Sequence, residues 1–269
     1  MTTPSEEQEE RERAERWNAY LWEDGSCLRN KLGIKDPFEL PVAEYRLRAM
    51  RQGEIDRGEV DIPRTYDKAH LQAIHGHLLQ DVYDWAGKFR DVDMSKRGDA
   101  FVPAHLLDKW TDKVSAKVRD RDWSTMSREE FVQSVADVYA YQNLTHPFRE
   151  GNGAAGKVFL SHVAEMSPYR LDLDRVEKAE WNEASKAAYP EDITKSTDPD
   201  PRKLYAVFDK ATVERGSVLR ADPELAMALE LQGETYAGVD KSEQIDIDDT
   251  RPATHGVELE AEAEAEHQT

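Results

Sequence analysis

Eight consecutive residues, "HPFREGNG" at 146–153, set a proton carrier, a carboxylate and a bare-backbone turn side by side. His146 is the group in this stretch that can exchange a proton near neutrality. A residue that precedes proline is pushed out of the α region, so a helix arriving here should stop near Thr145 and leave His146 at a helix-to-loop junction. Phe148 has the character of an anchor that pins the loop to a core. Gly151, Asn152 and Gly153 permit positive φ and close backbone approach, so successive N–H groups can form an anion nest. The nest would open a helix whose dipole also favours negative charge. Glu150 would repel a naked phosphate there, and it makes sense with a Mg2+ ion between them. The combination reads as transfer chemistry on a di- or triphosphate, with His146 removing the proton of an attacking hydroxyl.

Helical patterns supply the frame for this loop. Apolar residues at 42, 45, 47 and 50 approximate one face, and those from 66 to 85 predict a helix ending near Gly87. Alternation at Phe89, Val92 and Met94, a Lys-Arg-Gly-Asp turn, then Phe101 and Val102 predict a short β-hairpin, the only convincing strand pair. Pro103 opens the next helix, to about 118. Ser127 with Glu130 three residues on is the capping-box signature of a helix leading to His146. A strongly apolar segment from about Gly153 to Met166 reads as a central helix, and two or three more helices follow to about 230. The fold class expected is all-α with one small hairpin. Its parts are an N-terminal helical or flexible extension (1–39), one domain with flanking helices (40–231) and an acidic tail (232–269).

Charge and composition narrow the function. The 269-residue chain carries a formal net charge of −19, which argues against sequence-independent nucleic-acid binding. About half of that charge lies from Leu231 to Thr269, a stretch with no apolar face that reads as disordered. The single cysteine, Cys27, fits a reducing cytoplasm, and neither a signal peptide nor a membrane span is expected. His70, His75 and His77 do not form a metal site, because 75 lies well off the face shared by 70 and 77. His162, inside the apolar segment, reads as a core or interface histidine.

"HPFREGNG" resembles the signature of Fic domains, His-x-Phe-x-(Asp/Glu)-Gly-Asn-Gly-Arg-x-x-Arg. The stretches "LLQDVYDWAGKFRDVDMSKRGDAFVPAHLL" and "LDLDRVEKAEWNEAS" are similar to the family's flap and to the segment after its central helix, so the resemblance covers roughly 40–215. It implies a Fic-type helical bundle that transfers AMP from ATP, with Mg2+, to a Ser, Thr or Tyr hydroxyl of a target protein. By position, His146 is then the base, Glu150 holds the Mg2+, and Gly151, Asn152 and Gly153 cradle phosphates. The hairpin at about 88–101, with Lys88, Phe89, Arg90, Asp91 and Val92, would be the flap that docks a target by strand addition. A kinase branch resembling the Doc toxins has Lys where this chain has Gly153, so Gly153 favours nucleotidyl transfer.

The chain departs from the signature twice. Ala154 stands at the first Arg position and Lys157 at the second. Lys157 keeps a charge for a terminal phosphate without the bidentate fork. Ala154 removes the first charge, which leaves open an attenuated transferase, a non-catalytic module that binds nucleotide or a partner, and a transferase using another phosphate-containing donor. The self-inhibitory pattern (Ser/Thr)-x-x-x-Glu-(Gly/Asn) of many Fic proteins is missing. That points by analogy to a separate small antitoxin, and to a type II topoisomerase subunit as the kind of target such toxins modify.

Overall fold

The computed structural model describes residues 4–96, 98–190, 198–216 and 250–252. Eight α-helices occur among them: α1 (Pro4–Ala19), α2 (Glu39–Asp56), α3 (Lys68–Leu79), α4 (Leu107–Arg119), α5 (Arg128–Thr145), α6 (Asn152–Ala164), α7 (Lys178–Ala187) and α8 (Tyr205–Ala211). Short strands accompany them: β1 (Met94–Lys96), β2 (Asp99–Ala100), β3 (Tyr169–Leu171), β4 (Thr212–Glu214) and β5 (Thr250–Pro252). The result is a mostly helical fold with small sheets, as the helical periodicities led one to expect.

Helices α5 and α6 form the centre. Helix α6 buries Ala155, Val158, Phe159, Leu160 and Val163, and α5 buries Phe131, Val135, Ala136 and Val138, all in one continuous core. Few positions on α6 are left to solvent, which suits a helix packed on several sides. Its close approach to α5 is set by Gly156, where a methyl group would stand 3.1 Å from the Gln142 amide. The start of α5 is the capping box read from sequence, with the Ser127 hydroxyl accepting from the Glu130 N–H and the Glu130 carboxylate accepting from the Ser127 N–H.

Three features differ from the sequence reading. Helix α3 ends at Leu79, not near Gly87, because Val82 and Tyr83 turn back and donate to the Leu79 carbonyl. They stay buried through that turn, which mimics helical spacing. The hairpin spans Met94–Ala100 (β1–β2), so Lys88–Val92 precede it in non-strand backbone. A second antiparallel pair, β3 with β4, has Arg170 opposite Val213. Strands of three residues carry too little alternation to be read. Of the acidic tail, only 250–252 fall within the described residues, where β5 pairs with β1; the expected disorder of the remainder lies outside them. No helix among the described residues is long and apolar enough to cross a membrane.

Two histidines from α3 and α6 meet inside the core, and neither binds a metal-type cluster among the described residues. His70 Nδ1 accepts from the Tyr66 N–H, so its Nε2 carries the proton and donates to His162 Nδ1 at 2.9 Å. Burial pushes His70 down to about 4 and His162 to about 3. Both groups take up protons more readily when unfolded. Their contribution to stability is therefore complete above the unfolded value of about 6.5 and is lost as pH falls towards the folded values. We expect the melting temperature to drop across that window, and a His70→Gln/His162→Gln variant to show a shallower drop. Identical pH slopes in thermal melts would remove this pair as a source of acid lability.

Candidate active site

The site is the six-residue connection between α5 and α6. Helix α5 ends at Thr145, and His146 takes the left-handed conformation (φ 45°) as its C-cap. Pro147 disfavours continued helix at His146, and the left-handed turn redirects the chain. Such a conformation costs a β-carbon residue roughly 1–2 kcal/mol, so the surroundings must hold it. They do so from several sides. The His146 ring stacks on Phe101 at 3.8 Å between centroids. Its carbonyl accepts from Arg90 Nε at 2.8 Å, and the Pro147 carbonyl accepts from the Arg90 N–H at 2.9 Å.

Phe148 is the anchor its position suggested, buried between His75 (3.7 Å, near-parallel) and Phe89 (5.4 Å, edge-on). His75 accepts the Gly87 N–H at Nδ1, so its Nε2 carries the proton and donates to the Glu150 carbonyl. Burial holds it neutral, at about 4. The Asn152 side chain closes the loop on itself, accepting from the Phe148 N–H and donating to the Phe148 carbonyl. Gly151 then has no alternative. It sits at φ 77°, and a β-carbon there would lie 2.4 Å from Leu79 Cδ1. A carboxylate oxygen of Glu150 accepts the Gly151 N–H at 2.8 Å.

The parts brought together are thus an imidazole, a carboxylate and a helix start. The first N–H groups of α6, from Asn152 onward, have no acceptor within their own helix and are oriented for an anion. Gly153 faces open space, while Lys157 lies one turn further along, half-buried. Ala154 is buried in the main core. The His146 imidazole is lowered to about 3, chiefly by desolvation, then by the positive charges of Arg90 and Lys96. Its Nδ1 is shielded from water and has no partner in hydrogen-bonding geometry, although the Asn143 carbonyl one turn back pulls towards the protonated ring. The ring is neutral at pH 7.

The flap residues named from sequence divide by environment. Lys88 and Asp91 are exposed, and Asp91 accepts from the Tyr20 hydroxyl at 2.8 Å. Phe89, Arg90 and Val92 turn their side chains inward. Arg90 is a buried bolt: besides His146 it donates to the carbonyls of Val92, Val102 and Thr145. Burial lowers its guanidinium to about 10, still charged at neutral pH. Sequence reasoning missed this role, as it missed Phe101 and His75 as supports. Nothing in their spacing announces it, because the acceptors they serve are main-chain atoms distant in sequence.

Comparison with known proteins accords with this architecture. The profile of the Fic/DOC family matches residues 65–164. The chain is 30% identical over 196 residues to the probable protein adenylyltransferase Fic of Salmonella typhimurium, covering 72% of this chain and 92% of that protein. Against the probable protein adenylyltransferase Fic of Escherichia coli strain K12, identity is 29% over 198 residues, 73% of this chain and 93% of that one. Among solved structures, BepC from Bartonella tribocorum with bound AMPPNP superposes with a TM-score of 0.63 at 22% identity, over 73% of this chain and 97% of that one. The chain belongs to the Fic/DOC family.

Gly151 offers a direct test of the loop's rigidity. Gly151→Ala should cost about 2–4 kcal/mol in urea unfolding, from the left-handed backbone and the clash with Leu79 together. In a Leu79→Ala background the same change should cost measurably less. Strict additivity of the two substitutions would show that the contact is not the constraint.

Proposed function

We propose that this protein is an adenylyltransferase that moves AMP from ATP to a hydroxyl of another protein. One observation supports this above the rest: the imidazole of His146 and the free N–H groups of α6 are held by a single buried, left-handed turn, with the Glu150 carboxylate between them. In this reading the N–H groups from Asn152 and Gly153, following the Gly151 turn, receive phosphate oxygens. Lys157 meets the terminal phosphate. Glu150, beside a helix N-terminus, fits a Mg2+ ion, which when bound neutralises phosphate charge and orients the leaving group. The target hydroxyl oxygen bonds to the α-phosphorus as the bond to the pyrophosphate oxygen breaks, and pyrophosphate leaves. The hydroxyl proton passes to His146.

The low basicity of His146 in the free protein suits this order of events. Burial holds the ring neutral, with the charges of Arg90 and Lys96 adding to it, and a bound triphosphate would offset those charges and raise its proton affinity. Since His146 must be neutral to act and its free-protein value is about 3, kcat/KM should not fall on the acid side between pH 8 and 5. A loss centred on the ordinary histidine value near 6.5 would argue against this base.

Activity is attenuated in this proposal. Ala154 supplies no charge to the transferring phosphates, a deficit of about 10²–10³ in rate if an arginine there acts as a transition-state donor. A second reading, a nucleotide- or partner-binding module without catalysis, draws on the same Ala154. Regulation by a separate small antitoxin protein remains part of the proposal. So does a cytoplasmic site of action, with a type II topoisomerase subunit as the class of target.

ATP labelled on the α-phosphate, with a parallel sample labelled on the γ-phosphate, separates these readings in bacterial lysate with Mg2+. We expect α-label alone on protein, an increase with Ala154→Arg, and loss with His146→Ala while nucleotide binding persists. Label from the γ-phosphate would mean a kinase. Nucleotide binding without transfer by either the parent or Ala154→Arg would mean a binding module.

A further inference from the structure

Strand β1 is the outer strand of a two-stranded hairpin, and its free edge is the place where an extended peptide could add. In this protein that edge is already filled. Strand β5, from the acidic tail, pairs antiparallel with it, setting Met94 opposite Pro252, Ser95 opposite Arg251 and Lys96 opposite Thr250. We propose that the tail segment around Thr250–Pro252 is a built-in occupant of the flap edge, which a target peptide must displace before it can be modified.

The register carries the argument. Residues paired across a ladder share a face of the sheet, and faces alternate along a strand. Met94 is buried in a small core with Val92 and Phe101, so β1 turns the face of Met94 and Lys96 inward. That face is the one next to the site: Phe101, whose N–H donates to the Met94 carbonyl, carries the His146 ring, and Lys96 is close enough to depress the His146 imidazole. Thr250 and Pro252 are the register partners of Lys96 and Met94, the two residues of β1 on that face, and Arg251 is the partner of Ser95. A segment at that register stands where a target strand would stand. The tail needs no apolar face for this, because pairing to an edge uses main-chain groups.

The consequence for target docking rests on the adenylyltransferase reading; the occupancy itself does not. A tethered segment acts at an effective concentration on the order of millimolar, so a separate target must outcompete it. Opening the edge should then strengthen binding of a competing peptide by about tenfold or more.

Two activity-independent readouts test the occupancy. In a Cys27→Ser background, Ser95→Cys with Arg251→Cys should form a disulfide on mild oxidation, because the two are register partners. Ser95→Cys with Thr250→Cys, one residue out of register, should not. A fluorescent peptide copying residues 244–256 should bind the full-length Thr250→Pro/Arg251→Pro variant at least about tenfold tighter than the parent, with the fold checked by circular dichroism. Equal crosslinking of both cysteine pairs, or equal peptide affinity, would overturn the inference. A third arm then reads labelling of lysate proteins by the Ser95→Cys/Arg251→Cys protein. We expect loss on oxidation and recovery with reductant. Unchanged labelling in the locked form would also overturn the inference. If crosslink and peptide behave as expected but no form labels any protein, the occupancy stands and the adenylyltransferase reading falls.

Discussion

The structure depends on how the chain turns between its two most buried helices. Helices α5 and α6 must both stay in the core, so the six residues joining them reverse direction without access to much water. Each buried carbonyl left without a donor there would cost roughly 1–3 kcal/mol. The solution is to bring donors from outside the turn. Arg90 covers His146 and Pro147, His75 covers Glu150, and Asn152 covers Phe148. The left-handed conformation of His146 is a by-product of that accounting. A left-handed residue that would relax in solution is held because its own carbonyl is the acceptor on which Arg90 closes.

The same supports set the electrostatics. A chain with a net charge of −19 presents at this point a buried guanidinium, Lys96 and a helix N-terminus. Bulk charge is therefore a poor guide to what the site attracts, since fields are focused by the low-dielectric walls of a local cleft. The buried histidines behave alike, all displaced towards the neutral form by desolvation, yet they serve different ends. His75 is neutral so that one nitrogen can donate and the other accept. His70 and His162 share a proton between them. His146 has a shielded Nδ1 without a partner in hydrogen-bonding geometry and a ring stacked on Phe101, which is what distinguishes it from the other three.

Much of this was legible in the residues. Pro147 fixed where α5 had to stop, Ser127 and Glu130 where it had to begin, and Phe148 the loop's attachment to the core. These are local rules in which two or three neighbouring residues decide the outcome. Failures came where the deciding partner is remote. Val82 and Trp85 continue the apolar period of α3, but the chain has already turned, and only the Leu79 carbonyl's acceptance of two later N–H groups reveals it. Arg90 was read only as a residue of the docking flap, because burial of an arginine requires several acceptors at once, and its acceptors come from 92, 102, 145 and 146. No window of sequence contains them all. Strands β3 and β4, separated by some forty residues and three residues each, fall below any periodic signal.

A hairpin whose two strands hold three and two residues has little stability of its own. Here it is not left alone. Its inner face is pinned by Val92, Met94 and Phe101, against which Trp17 and Tyr20 from the N-terminal segment also pack. Arg90 ties the segment leading into it to the carbonyl of His146. The hairpin is thus fixed to the reactive turn by the same guanidinium that holds that turn in place. The position of the β1 edge relative to His146 is consequently set by the core and not by a flexible loop. Strand addition tolerates many sequences, since it uses main-chain groups, while the ladder register still selects which residue arrives opposite Lys96. Breadth in the partner and strictness in the position presented to the imidazole can therefore come from one device.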